Sequence, residues 1–325
     1  MKKLLSLALA LVMVLTLSVA VAAQEHSDME TVTISVTYNA TNSGTVSPAE
    51  TFAFTIAKTS VTDAADGVTT GNMPVPAVGN VEFAEGDAGN AGSMTKDVTI
   101  TLPEYTSVGV YTYTITPTPR TTGGVTYWGR PIKLVVTVIE QNGKIRVAAV
   151  HTEGEGEEKT DDITYTYSAG SLSVTKSVTG NLGDRAKEFN VWVTFTAPEA
   201  GVVNSTISYI VDGETKTIAP AEWEENTASV QIALHHEETV TFTNIPYGVT
   251  YHVAEDSYEA EDYKTSYNKQ DGTIGAASDA VTITNTKGTT VDTGIALDSL
   301  PYILLIAVAV VGVVAFIAKK RTTDR

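Results

Sequence analysis

The 325-residue chain contains no cysteine. That excludes disulfides, thiol nucleophiles and thiolate metal sites. Basic residues are also scarce: 21 Lys and Arg stand against 38 Asp and Glu, a formal net charge of -17. A nucleic-acid binder needs the opposite balance, so that function class is excluded. Lys2, Lys3, Lys319, Lys320, Arg321 and Arg325 all lie at the two ends, so the body between them is more acidic still. Such a surface favours solubility and repels other anionic surfaces.

Catalytic residue types are thin as well. The histidines are His26, His151, His235, His236 and His252. On a strand, the adjacent His235 and His236 point to opposite faces and cannot both enter one site. Neither HExxH, GxSxG nor a phosphate-binding glycine loop occurs. The acidic clusters Glu153–Glu158 and Glu222–Glu225 lack calcium-loop spacing and read as solvated faces. No cofactor or metal is expected, and nothing points to an enzyme acting on another molecule.

Long hydrophobic runs occur only at the ends. Lys2 and Lys3 precede an apolar stretch, Leu4 to Leu17, followed by the small residues Ala20, Ala22 and Ala23. Residues 1–23 therefore read as a secretory signal peptide, cleaved before Gln24. A second run extends from Leu297 to Ile317, interrupted by Asp298, Ser299 and Pro301. Its Pro301–Ala318 portion is long enough to be expected as a transmembrane helix. Lys319, Lys320 and Arg321 would then stay on the cytoplasmic side. The expectation is an exported chain, transiently retained in the membrane by its tail.

The body between reads as all-β. Short alternating runs rich in Val and Thr predict strands over 31–38, 52–56, 96–102, 110–116, 132–139, 144–151 and 162–167. A second set is predicted over 171–178, 189–196, 205–211, 229–234, 239–243, 250–255, 263–268 and 280–286. This divides the chain into two β-sandwich domains, 24–168 and 169–287, with a linker and tail over 288–325.

Three polar residues in the second domain stand where apolar ones belong. Lys176 continues the face of Leu172, Val174 and Val178. Glu255 continues that of Tyr251 and Val253, and Asn285 that of Val281 and Ile283. Unpaired charge in a core is costly, so a buried Lys and Glu should meet or neutralise. A neutral Lys176 amine is a nucleophile towards the Asn285 carboxamide, with a protonated Glu255 polarising the carbonyl and carrying protons. Ammonia would leave and an amide would join the two side chains, driven by proximity in the core.

Those residues carry a resemblance. The segments Ser173–Gly180 with Gly183–Phe189, then Ile245–Asp256, then Val281–Asn285 resemble the Lys, Glu and Asn strands of Gram-positive major (backbone) pilins. The likeness is to the streptococcal T-antigen type, with pilin isopeptide-linkage domains. It implies tandem immunoglobulin-like (CnaB-like) sandwiches and a spontaneous Lys176–Asn285 isopeptide bond promoted by Glu255. Val291-Asp292-Thr293-Gly294, before the apolar run and basic end, resembles a sortase sorting signal, with Asp292 where Pro is usual. By the same resemblance, cleavage falls between Thr293 and Gly294, and the acceptor is a lysine of domain 1. The stretch Val136–Val147 resembles that region and points to Lys144, with Lys133, Lys159 and Lys58 as alternatives.

In domain 1 the corresponding positions are expected at Ile34, Pro117 and Tyr167, so no intramolecular bond is expected there. The implied function is a pilus shaft subunit, covalently attached at the cell surface to the fibre or cell wall. The implied partners are a pilin-polymerising (class C) sortase, a housekeeping sortase with peptidoglycan, other copies of the chain, and tip or basal minor pilins. The alternative is a monomeric wall-anchored protein or minor pilin acting in adhesion. No host ligand is indicated.

Overall fold

The computed structural model describes residues 29–154, 162–199, 201–289, 304–306 and 308–310. The N-terminal sandwich uses β1 (Thr31–Thr41), β2 (Glu50–Phe52), β3 (Phe54–Thr62), β4 (Ala77–Val78), β5 (Val81–Phe83), β6 (Ser93–Thr101) and β7 (Gly109–Pro117). It continues through β8 (Val125–Thr126), β9 (Ile132–Gln141), β10 (Lys144–Glu153) and the start of β11 (Asp162–Thr179). Its sheets run β4-β6-β1-β11 and β10-β9-β7-β3. Alternation does the sorting: in β9, Ile132, Leu134, Val136 and Val138 are buried while the residues between them are not.

The C-terminal sandwich adds β12 (Phe189–Thr196), β13 (Ile207–Val211), β14 (Glu214–Ile218), β15 (Thr227–Leu234), β16 (Thr239–Pro246) and β17 (Thr250–Glu255). It ends with β18 (Lys264–Tyr267), β19 (Asp271–Thr273) and β20 (Ser278–Thr286). One sheet runs β14-β13-β16-β11, with β20 on the other edge of β11 and β18 on β20; the second runs β15-β12-β17-β19. Among the described residues two large apolar cores result, one aromatic and N-terminal, the other built around Val191, Phe195, Phe242 and Ile283, with a small third cluster of Val178, Phe189 and Tyr263 beside the latter.

The two predicted strands 162–167 and 171–178 are a single strand, β11. It closes one sandwich beside β1 and opens the next beside β20, parallel to both. Its 18 residues span about 60 Å at the usual rise. The buried set is Ile163, Tyr165, Tyr167 and Ala169, then Leu172, Val174, Lys176 and Val178. The phase changes at Gly170, where the pairing with β16 shifts register between Gly170 and Leu172. A bulge changes which residues face the core, and here it lets one strand serve two cores. Glycine is required at that point, because a Cβ on Gly170 would lie 2.2 Å from the Ala276 carbonyl oxygen.

Polar contacts fasten the junction. Asn42 Nδ2 donates to the Ala169 carbonyl at 2.7 Å and to Tyr247 Oη at 2.9 Å. The Val46 N–H donates to Asn244 Oδ1 at 2.9 Å. Thr122 bridges to Val202 across the domains. Thr122 Oγ1 also donates to the buried Glu50 carboxylate at 2.7 Å, which Arg120 approaches at 3.1 Å.

The expected transmembrane segment requires correction. Among the described residues no helix is long and apolar enough to cross a membrane. Of the predicted run, residues 304–306 and 308–310 are described, and they are helical. Crossing a bilayer takes about 20 consecutive helical residues. The expectation of transient membrane retention by such a helix falls with it. The signal segment 1–23 and the Val291–Gly294 motif lie outside the described residues.

Candidate cross-linking site

Three strands deliver three polar side chains to one place in the second core. Lys176 comes from β11, Glu255 from the end of β17 and Asn285 from β20. On the parallel pair β11–β20, Lys176 is opposite Ile283, and Asn285 is opposite Val178. Asn285 therefore sits one same-face step beyond the partner of Lys176.

The Lys176 Nζ lies 2.7 Å from Glu255 Oε1, and both side chains are 0% exposed. The amine also sits 4.3 Å from the centroid of the Phe189 ring. Thr265 Oγ1 donates to the other Glu255 oxygen at 3.1 Å, and the Glu255 backbone N–H donates to Tyr267 Oη at 2.9 Å. Burial pulls the Lys176 amine below its ordinary pKa, against the opposing pull of Glu255. A larger neutral fraction makes it a better nucleophile.

Hydrogen bonding here is incomplete. Despite the short ion-pair distance, Lys176 Nζ and Glu255 Oε1 lack well-angled hydrogen bonds, and both Asn285 Nδ2 and Asn285 Oδ1 are buried without a partner. Orphaned buried polar groups each cost about 1–3 kcal/mol and call for an explanation. A condensation would supply one: the Lys176 amine would attack Asn285 Cγ, the Asn285 C–N bond would break, and ammonia would carry off the nitrogen. The neutral amide that remains has fewer polar groups to satisfy. Glu255 is in contact with the amine that must lose a proton.

The register locates the equivalent positions in domain 1, and one expectation is corrected. Tyr167 is opposite Ala40 on the parallel pair β1–β11, so the counterpart of Lys176 is Tyr38, opposite Tyr165, and not Ile34. Pro117 is opposite Phe54, as Glu255 is opposite Val191. Phe52, the counterpart of Phe189, meets the Tyr38 ring edge-on at 5.3 Å and stacks on Tyr165 at 3.8 Å. Aromatic packing thus fills the place that Lys, Glu and Asn occupy in domain 2. Burial raises the phenol pKa of both Tyr38 and Tyr167.

The remaining candidates are scattered. Lys144 is exposed, just after the tight turn whose Asn142 and Gly143 both have positive φ. Lys133 is exposed on β9, Lys58 donates to the Gly71 carbonyl at 2.8 Å, and Lys159 lies outside the described residues. His236, set aside in the sequence reading, touches the strand that carries Lys176. Only its one-sided burial could have signalled it, and burial is not visible in a histidine pair.

Tandem immunoglobulin-like sandwiches holding such a constellation define a structural protein whose reactive groups face each other. Residues 31–168 match the family described as Spy0128-like isopeptide containing domain, and residues 170–287 match a domain of unknown function (DUF7601). A pilin of Streptococcus pyogenes serotype M1 is 29% identical over 260 residues, covering 74% of this chain and 76% of that protein. In fold the chain is similar to the crystal structure of the major pilin from Streptococcus pyogenes, with TM-score 0.55 and 22% identity. That match covers 81% of this chain and 100% of the other. The major pilin T3.2 of the same species gives TM-score 0.53 at 17% identity, covering 81% and 100%. Over most of its length the chain is similar to streptococcal pilins, which marks it as a structural pilin subunit. The isopeptide-domain match falls on the half in which the register sets Tyr38, Pro117 and Tyr167 against Lys176, Glu255 and Asn285.

Proposed function

We propose that this pilin is a shaft subunit reinforced by one internal Lys176–Asn285 isopeptide bond, formed with the help of Glu255. Its N-terminal unit ends at 168 and its C-terminal unit covers 169–287. A class C sortase reads Val291-Asp292-Thr293-Gly294, cleaves after Thr293 and passes the acyl group to Lys144 of the next copy. A housekeeping sortase finally joins the fibre to peptidoglycan, and minor pilins occupy its ends.

The observation that carries the internal bond is the buried, hydrogen-bond-deficient meeting of Lys176, Glu255 and Asn285. For Lys144, the support is exposure beside an open groove of about 420 Å³ lined by Met29, Leu102, Tyr105 and Ile145. A second acceptor, Lys159, is favoured by β11 itself: it stands three residues before a strand that carries load straight into domain 2.

Intact mass of the purified body tests the internal bond. Attack by the amine predicts a deficit of about 17 Da, one ammonia. Twice that deficit overturns the reading of domain 1, and no deficit overturns the bond. Cross-linked peptide mapping of native fibres tests the acceptor. A Thr293 peptide joined to Lys159 replaces Lys144, and fibres without covalent ladders leave the monomeric, wall-anchored adhesion reading.

A further inference from the structure

β16 ends its pairing with β11 at Thr239, opposite Thr175. Beyond that point β11 carries Lys176 and then Val178 without a strand on that side. The turn before β16 takes over. The Lys176 N–H donates to the Glu238 carbonyl at 2.9 Å, and the Glu237 N–H donates back to the Lys176 carbonyl at 2.9 Å. The next inward-directed donor, the Val178 N–H, finds no backbone carbonyl. It donates to His236 Nδ1 at 3.0 Å.

The imidazole thus stands where a longer β16 would have offered a carbonyl. Accepting at Nδ1 leaves the ring proton on Nε2. The His236 side chain is 15% exposed, whereas its neighbour His235 is 54% exposed and pairs with Glu238. The His236 N–H reaches the Arg185 carbonyl at 3.4 Å, tying the 180–186 loop to the same turn. Val178 is opposite Asn285 on β20, so the bond made by His236 secures the residue beside the electrophile and two from the nucleophile.

We propose that His236 is a positioning residue for the Lys176–Asn285 reaction, fixing β11 over residues 176–178 so that the amine and carboxamide meet in reactive register. It touches neither reacting group and acts through the backbone. The inference rests on the internal bond being formed. A near-attack arrangement is sensitive to small displacements, so loss of one strand-fixing hydrogen bond should appear as rate.

The test is pulse synthesis of the full chain in a cell-free system, acid-quenched at intervals, with the ammonia deficit read by mass. His236→Ala should slow bond formation about fivefold, the factor given by one hydrogen bond of about 1 kcal/mol. His236→Asn, which keeps an acceptor near the same place, should restore most of the rate, and His235→Ala should leave it unchanged. Ile232→Val, a mild core trim in β15, controls for general loss of stability. Equal rates for wild type and His236→Ala overturn the positioning role, as does equal slowing by Ile232→Val or failure of Asn to rescue. If wild type shows no deficit, the bond reading itself fails, which is a separate result.

Discussion

Replacing Asn285 by Ala removes the electrophile while leaving the Lys176–Glu255 pair and the strand pairing of β20 in place. The consequence is clearest under load. A bond between positions 176 and 285 shields roughly 110 residues from extension, and at 3.3–3.6 Å per residue these span about 380 Å when straightened. The chain has no cysteine, so Lys144→Cys and Thr289→Cys give unique handles for single-molecule pulling. With the bond intact, tension passes from β11 to β20 through the cross-link, and no contour length from domain 2 is released. In the Asn285→Ala variant a new event should appear, releasing close to the full 380 Å less the folded separation. Thermodynamically, closing a loop of roughly 110 residues is worth about 5 kcal/mol in the chain-entropy treatment of cross-links. The variant domain should therefore melt about 15 °C or more lower. An identical extension trace for both proteins would refute the argument, whatever the melting temperatures.

Three other outcomes are expected. In the Asn285→Ala variant, burial holds Lys176 below its ordinary pKa; the unfolded chain then binds more protons between the two values, so stability should rise with pH across that window. Urea titrations at stepped pH check this, and a wild type cross-linked as proposed, with no free amine at 176, should lack the slope. Gly170→Ala in the same background should cost about 3 kcal/mol, because the new methyl meets a backbone oxygen and not a movable side chain; an unchanged urea midpoint would sink the account of the bulge. Tyr38→Lys alone should destabilise domain 1 by about 3 kcal/mol through an unpaired buried charge, and adding Pro117→Glu with Tyr167→Asn should recover much of that loss in calorimetry.

The reactive residues of domain 2 were legible because each breaks an apolar alternation: Lys176 after Val174, Glu255 after Val253, Asn285 after Ile283. Pattern supplies the face but not the register between strands. Alternation alone therefore sets Ile34 against Lys176, whereas the pairing of β1 with β11 equates Tyr38. β1 extends to Thr41, three residues past its predicted end, and the extension contains the positions that set the match. The continuity of β11 was hidden for a related reason. A phase change at Ala169 and Gly170 looks in sequence like a boundary between two strands, whereas a bulge resolves it inside one. His235 and His236 lie in the turn after β15, not on a strand, and only tertiary burial tells which one faces β11.

The sharing of β11 also orders events in time. Made and exported from the N-terminus, the chain presents Lys176 on the strand that closes the first sandwich, whereas Asn285 arrives in the last strand of the second. The nucleophile waits in place while everything between is delivered and folded. A Lys176–Asn285 bond therefore cannot form on a truncated or half-threaded chain. It is a chemical receipt for a finished subunit, issued just upstream of the segment by which that subunit would join its fibre.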